Sequence, residues 1–402
     1  MGETPQNPIK RHGMPESTVA IILAGGSEGE FGALTRRRAK AALPFGGMFR
    51  IFDFSISCLS QSQVDKVGVI IQHLPAALIE HIGVGETWDF NGYYRLLKIM
   101  PPFLGIGEAA WYKGTADALY QNMNFIRRFD PENVLLCYGE HLYHIDFDAV
   151  IQYHHDHNAD LTIVAKNTPL KLTSARLCRL VCDPANPARV VDCARNTERY
   201  QQHPVATGIY VIKTKVLERL LKQMLRDRTG HSLSANIIAV APDQHRVLQY
   251  PLHDYWNELN SLDEYFQASM SLLKADPPIV PQEWRIITNP DDRNLGHRTP
   301  AFVSEKASVA DSILCPGCKV LGQVERSILS PGVVVEEGAR VSNSIIMHDA
   351  IVKRNATLRY VIADKDIAFA EGGTYGVEFD PNTQQKPKLT LFGRDEQSVT
   401  ED

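Results

Sequence analysis

From Val303 onward the chain repeats itself every six residues, and few features restrict a fold so tightly. Every sixth position reads Val303, Val309, Cys315, Leu321, Ser327, Val333, Ala339, Ile345, Ile351, Thr357, Ala363 and Phe369, small or apolar throughout. Gly332, Gly338, Asn343, Asp349 and Asn355 stand between them. Apolar residues at a period of six, separated by turn formers, set one inward side chain on each flat face of a hexapeptide coil, whereas ordinary antiparallel strands alternate with period two. Residues 301–373 are therefore expected to form a left-handed hexapeptide-repeat β-helix. Residues 374–402 are expected to be a polar tail, its acidic end formed by Asp395, Glu396, Glu401 and Asp402.

The preceding half has another rhythm. Short Val- and Ile-rich runs at 19–23, 67–71, 134–138, 161–165 and 208–212 are separated by helix-length segments such as 116–128 and 213–226. That is the βαβ pattern of a Rossmann-like, mostly parallel sheet buried on both faces, expected over 18–275. Pro277, Pro278, Pro281, Pro290 and Pro300 interrupt it and mark 276–300 as a linker. Residues 1–17, with Pro5, Pro8 and Pro15, read as a flexible tail. At 402 residues, a large α/β domain followed by a smaller one is the natural division.

A formal net charge of -5 supplies no basic field, so no nucleic-acid partner is expected. The apolar stretch at 19–26 is too short for a signal peptide or membrane span, which points to a cytoplasmic protein with no membrane partner. Seven cysteines scattered from Cys58 to Cys318 read as reduced thiols, and Cys315-Pro316-Gly317-Cys318 as a plain turn. His154-His155-Asp156-His157 reads as a solvated helix terminus rather than a metal site.

Three segments carry candidate chemistry. Val19 to Gly26 is a buried strand running into Gly25 and Gly26, where backbone can approach a phosphate without a Cβ in the way. Arg36, Arg37, Arg38 and Lys40 follow, then Pro44-Phe45-Gly46-Gly47 and Arg50, a set of cations able to neutralise phosphate charge. Gly114 and Thr115 open a helix and can offer donors to an anion or a base edge. Glu140 follows a strand at the sheet edge where doubly wound folds place ligands, a candidate metal-binding carboxylate.

The order of these segments (LAGG, LTxxRAK, PFGG, FRI, WYxGTADAxxQN, GxHxY, GIYV and YW, then hexapeptide repeats) resembles bacterial glucose-1-phosphate adenylyltransferase, the ADP-glucose pyrophosphorylase of glycogen synthesis. The likeness runs from about Val19 to about Gly373. It implies a reaction in which ATP and glucose 1-phosphate give ADP-glucose and diphosphate, with Mg²⁺ and cationic side chains stabilising charge at the α-phosphorus. It also implies nucleotide contacts at Gly25, Gly26, Lys40, Gln72, Gly114 and Thr115, and binding of an anionic sugar-phosphate activator by Arg37, Arg38 and Arg50.

The departures are concentrated. The family's R-G-T-R after its double glycine is Ser27, Glu28, Gly29 and Glu30 here, which replaces cations by anions where a triphosphate would lie. The metal-binding aspartates of the family's G-D-H and W-R-D-V-G-T fall at Glu140 and Glu258, each one methylene longer. A misplacement of about 1 Å can cost on the order of a hundredfold in rate. The sugar-phosphate lysine of V-E-K-P falls at Asn196, beside Arg195, and F-G-K-D appears as Leu233-Ser234-Ala235-Asn236. With the catalytic set reduced and the activator-side arginines kept, the first reading is a catalytically deficient regulatory subunit, assembled with a catalytic paralogue in a hetero-oligomer, a tetramer by resemblance. Two alternatives stay open: an active adenylyltransferase holding Mg²⁺ through Glu140 and Glu258, and a nucleotide or sugar-phosphate sensor.

Overall fold

The computed structural model describes residues 17–25, 31–102, 112–168, 178–195, 203–228, 230–239, 241–377, 388–394 and 399–400. The first domain is built on nine strands: β1 (Thr18–Leu23), β2 (Lys66–Ile70), β3 (Leu96–Met100), β4 (Asn133–Tyr138), β5 (Leu161–Lys166), β6 (Cys178–Asp183), β7 (Asn186–Arg195), β8 (Val205–Lys213) and β9 (Val247–Pro251). Their order across the sheet is β3-β2-β1-β4-β8-β5-β9-β7-β6. Strands β3, β2, β1 and β4 run parallel, and β8 runs antiparallel to both β4 and β5. The chain steps outward from β1 to β2 and β3, then returns to the other side of β1 as β4. That reversal opens a crevice at the carboxyl ends of β1 and β4.

Helices cover both faces. α1 (Ile51–Ser60), α2 (Ala76–Ile82), α3 (Thr115–Gln121), α4 (Met123–Arg127), α5 (Phe147–Asp156), α6 (Thr214–Asp227) and α7 (Leu262–Met270) each turn an apolar stripe inward. In α6 that stripe is Val216, Leu217, Leu220, Leu221 and Met224, the spacing of one helix face. The single helix expected over 116–128 is two. Asn122 interrupts it, its amide donating to the Ala118 carbonyl at 2.8 Å and to the Tyr112 hydroxyl at 2.9 Å in competition with the helix backbone.

The second domain is a β-helix of three parallel sheets. Its inward columns are Val320-Val335-Val352-Phe369, Val324-Val341-Leu358-Tyr375 and Leu329-Ile346-Ala363-Phe392. Along the first column the steps are 15, 17 and 17 residues, from 320 to 335 to 352 to 369, not the 18 that a strict period of six requires. The expected register therefore drifts: Val333, Ala339 and Ile345 are buried, but Ile351 is 37 % exposed and Thr357 only half-buried. Left-handed backbone recurs at the corners, at Gly317, Gly332, Asp349 and Asp366, and at Gly338, Asn355 and Gly372. Gly, Asn and Asp tolerate that conformation best, which explains the turn formers in the repeat.

At Gly332 (φ +78°) an added Cβ would lie 2.0 Å from Arg298 Nη1 and 2.2 Å from Asp349 Oδ1. Gly332→Ala is expected to destabilise the β-helix by about 1–2 kcal/mol from backbone conformation alone, with displacement of Arg298 added, read as a lowered midpoint in thermal unfolding.

The 276–300 segment between the domains is packed: Ile279, Trp284 and Ile286 share a core with Phe54, Tyr265, Ile345 and Met347, spanning both domains. One expectation is corrected. The stretch expected as a polar tail contributes Thr374–Gly376 and Thr390–Phe392 to two sheets, with Leu391 and Phe392 buried, because Tyr375 and Phe392 continue the inward columns. Residues 1–16, 378–387, 395–398 and 401–402, the remainder of the expected tails, lie outside the described residues. No helix among the described residues is long and apolar enough to cross a membrane.

Candidate active site and its interdomain support

Gly25, Gln72 and Glu140 lie two residues past the carboxyl ends of β1, β2 and β4. Gly25 follows β1, and a Cβ there would sit 3.1 Å from that of Gln72 just past β2. The Gln72 amide donates to the Tyr112 carbonyl at 2.8 Å, tying the β2 end to the segment before α3. Glu140 lies two residues beyond β4, partly buried. Glu258 is buried, and its Oε2 accepts from the Asn260 amide at 3.1 Å. The Lys40 ammonium, also buried, donates to the Glu258 main-chain carbonyl at 2.9 Å and lies 5.5 Å from the Phe31 ring. Lys40 thus supports the loop that carries Glu258.

His141, the histidine of the G-x-H-x-Y segment, was not among the candidate site residues. Burial, then the neighbouring Lys40 charge, lowers its pKa to about 3, so the imidazole is neutral. It stacks on Tyr138 and meets Trp256 edge-on. Gly114 caps α3 against the His231 carbonyl, where a Cβ would approach to 2.5 Å. The Thr115 hydroxyl accepts from the Leu233 amide at 2.9 Å, so this terminus is committed to a neighbouring loop. Asn236 Oδ1 accepts from the Ser232 amide at 2.9 Å and closes its own turn. Gly26, Ser27, Glu28, Gly29, Glu30, Trp111 and Asn196 lie outside the described residues; Arg195 ends β7.

The activator-side arginines divide. Arg37 is exposed. Arg38 is buried, its Nε donating to the Leu34 carbonyl at 2.9 Å and its guanidinium paired with Asp364 of the β-helix. Arg50 is buried as well, donating to Asp292 at 2.8 Å through Nε and to the Ala42 carbonyl at 2.8 Å through Nη1. His81 completes this group, with Nδ1 3.0 Å from Asp292 and Nε2 against Asp53. Burial lowers the His81 pKa, but the Asp53 charge and the bonds to both aspartates outweigh it, so the pKa is raised. Burial raises that of Asp292, yet His81 and Arg50 hold it well below the usual carboxylate range.

From the linker, Arg293 reaches Asp349 at 2.7 Å and Asp366 at 2.7 Å, and Arg298 pairs with Asp349 at 2.7 Å. Lys365 is buried among these cations: desolvation, then Arg50 and Arg38, lower its pKa to about 6.

The other sequence features settle simply. Asp156 and His157 are exposed and His155 is half-buried, but His154 is buried with Nδ1 2.9 Å from the Thr162 hydroxyl, because its side chain falls on the inner face of α5. All seven cysteines carry free thiols.

This architecture has relatives. A model of the nucleotidyl transferase family matches residues 19–275, and one of GlmU-like C-terminal hexapeptide domains matches 300–390. The chain is 31% identical to a glucose-1-phosphate adenylyltransferase from Fervidobacterium nodosum, over 94% of this chain and 92% of that protein. It belongs to the glucose-1-phosphate adenylyltransferase family. Further members are the enzymes of that name from Clostridium perfringens, 35% identical over 82% of this chain and 83% of the relative, and from Bacillus cytotoxicus, 30% identical over 89% and 94%. As a member of the glucose-1-phosphate adenylyltransferase family, the chain pairs a nucleotidyl transferase domain with a hexapeptide domain.

Proposed function

We propose that this chain is a catalytically deficient, regulatory subunit of the ADP-glucose-forming reaction of glycogen biosynthesis, in which ATP and glucose 1-phosphate give ADP-glucose and diphosphate. It tunes the response of an active paralogue to an anionic sugar-phosphate activator within a hetero-oligomer. The observation that carries this reading is the loss of cations around the reacting phosphates. Ser27, Glu30, Asn196 and Ala235 stand where the resemblance places cationic side chains, and Asn236 is spent on its own turn. Phosphoryl chemistry depends on positive charge held in advance, and removing one such donor typically costs about 10²–10³ in rate.

The activator side keeps its charge. Arg37 is open to solvent, and Arg38 and Arg50 lie where the two domains meet. An anion recruited there would compete with Asp364 and Asp292 for Arg38 and Arg50, which gives it a means to alter the domain contact.

Glu140 and Glu258 favour a second reading, an active enzyme. Two carboxylates at one sheet edge are hard oxygen donors that suit Mg²⁺. Bound there, the ion would neutralise charge on the triphosphate and polarise its α-phosphate. In either reading Lys40 fixes the Glu258 loop and Asn260 orients the Glu258 carboxylate.

The regulatory reading is tested by mixing the chain with a purified active glucose-1-phosphate adenylyltransferase of the same cell and titrating fructose 1,6-bisphosphate. The expected result is a change of at least about threefold in half-saturating activator, together with co-elution. Identical titration curves with and without the chain would remove it.

A further inference from the structure

We propose that the Tyr138 ring is a built-in plug, occupying the crevice at the sheet edge where the hexose phosphate of a nucleotide sugar would sit. The inference deepens the reading of catalytic deficiency and rests on it.

Tyr138 is the last residue of β4, at the topological reversal, two positions before Glu140. Across from it, β8 carries Gly208 with φ +83°. The β8 to β5 register shifts between Ala206 and Tyr210, an irregularity that includes this glycine. A glycine at a strand irregularity commonly marks a point where a ligand or another backbone comes close. Here the chain's own ring takes that place: a Cβ at Gly208 would be 2.4 Å from Tyr138 Cδ2, 2.9 Å from Cε2 and 3.3 Å from His141 Cε1.

The ring is held on several sides. It stacks on His141 with centroids 5.2 Å apart and planes 23° apart. His141 is in turn fixed by the Thr207 carbonyl at 3.2 Å from Nδ1 and by the edge of Trp256. From the end of β4 the side chain lies against Gly208 of β8, two positions before one of the two candidate metal carboxylates. A six-membered aromatic ring with its Cδ2–Cε2 edge against glycine backbone fills about the space of a pyranose, and a ligand must displace it to enter. The apparent affinity is then the intrinsic affinity multiplied by the fraction of time that the ring is out.

The test uses the full chain and isothermal titration with ADP-glucose in Mg²⁺. Tyr138→Ala is expected to bind at least tenfold more tightly than the wild type, and Tyr138→Phe, which keeps the ring, within twofold of it. Tyr138→Leu preserves apolar packing against His141 and is expected to gain at least threefold, so a folded variant exists if the alanine form is unstable.

Equal affinity in the wild type and the ring-less variants would overturn the plug, as would a gain in Tyr138→Phe matching that in Tyr138→Ala. A failed regulatory reading looks different: the partner's activator curve stays unmoved even though the ring-less variants gain ligand.

Discussion

Replacing Ser27 and Glu30 together by arginine is expected to tighten binding of Mg·ATP by about a hundredfold or more. Each substitution sets a cation where a triphosphate would pass, and Glu30→Arg also removes an anion. Charge-assisted hydrogen bonds are worth about 1.5–3 kcal/mol each, and about 1.4 kcal/mol is a factor of ten in affinity. Glu140→Asp alone is expected to change binding by less than about threefold, since one methylene does not restore a missing charge. Isothermal titration of the four proteins (wild type, double arginine, Glu140→Asp and triple variant) reads this directly. A gain from Glu140→Asp equal to that from the arginines would place the defect at the metal carboxylate instead.

The second large effect concerns the joint between the domains. Asp292→Ala removes the carboxylate that receives Arg50 and His81, leaving a buried guanidinium without its counter-ion. Breaking such a pair by deleting one partner costs about 3–5 kcal/mol, expected here as a large drop in the unfolding midpoint in urea or on heating. The same group sets a pH window. Asp292 contributes fully above its unfolded value near 3.8, and that contribution is lost as pH falls toward its depressed folded pKa. His81 contributes fully below its unfolded value near 6.5, and its part is lost as pH rises through its elevated folded pKa. Wild-type stability should therefore be broadest between about pH 4 and 6.5, and Asp292→Ala should lose the acid-side slope. An unchanged pH profile in the variant would show that other groups set that edge.

The sequence made some of this legible and hid the rest for physical reasons. Period and composition are local properties, so the parallel strands at 19–23 and 134–138 and the stacked coils after Val303 could be read from residue types alone. The coil length could not. A step of 15 or 17 residues depends on how each corner closes, and a fixed count of six drifts to Ile351 on the outside. The interdomain group was invisible because its partners are distant in sequence: Arg38 and Asp364 are 326 positions apart, Arg50 and Asp292 242. Nothing near Asp364 or Asp292 announces a guanidinium.

At the candidate active site, Glu140, Glu258, Lys40 and Gln72 were readable as motif positions, and the structure ties Lys40 to the Glu258 loop and Gln72 to the segment before α3. What the ring of Tyr138 does was not readable, because it depends on the glycine of a different strand.

The most direct measurement is diphosphate release by the purified chain alone with ATP, glucose 1-phosphate and Mg²⁺ at saturating concentrations. The expected turnover is well under about 1 s⁻¹, near the bottom of the usual enzyme range. Sustained synthesis of ADP-glucose by the isolated chain above that rate would contradict it.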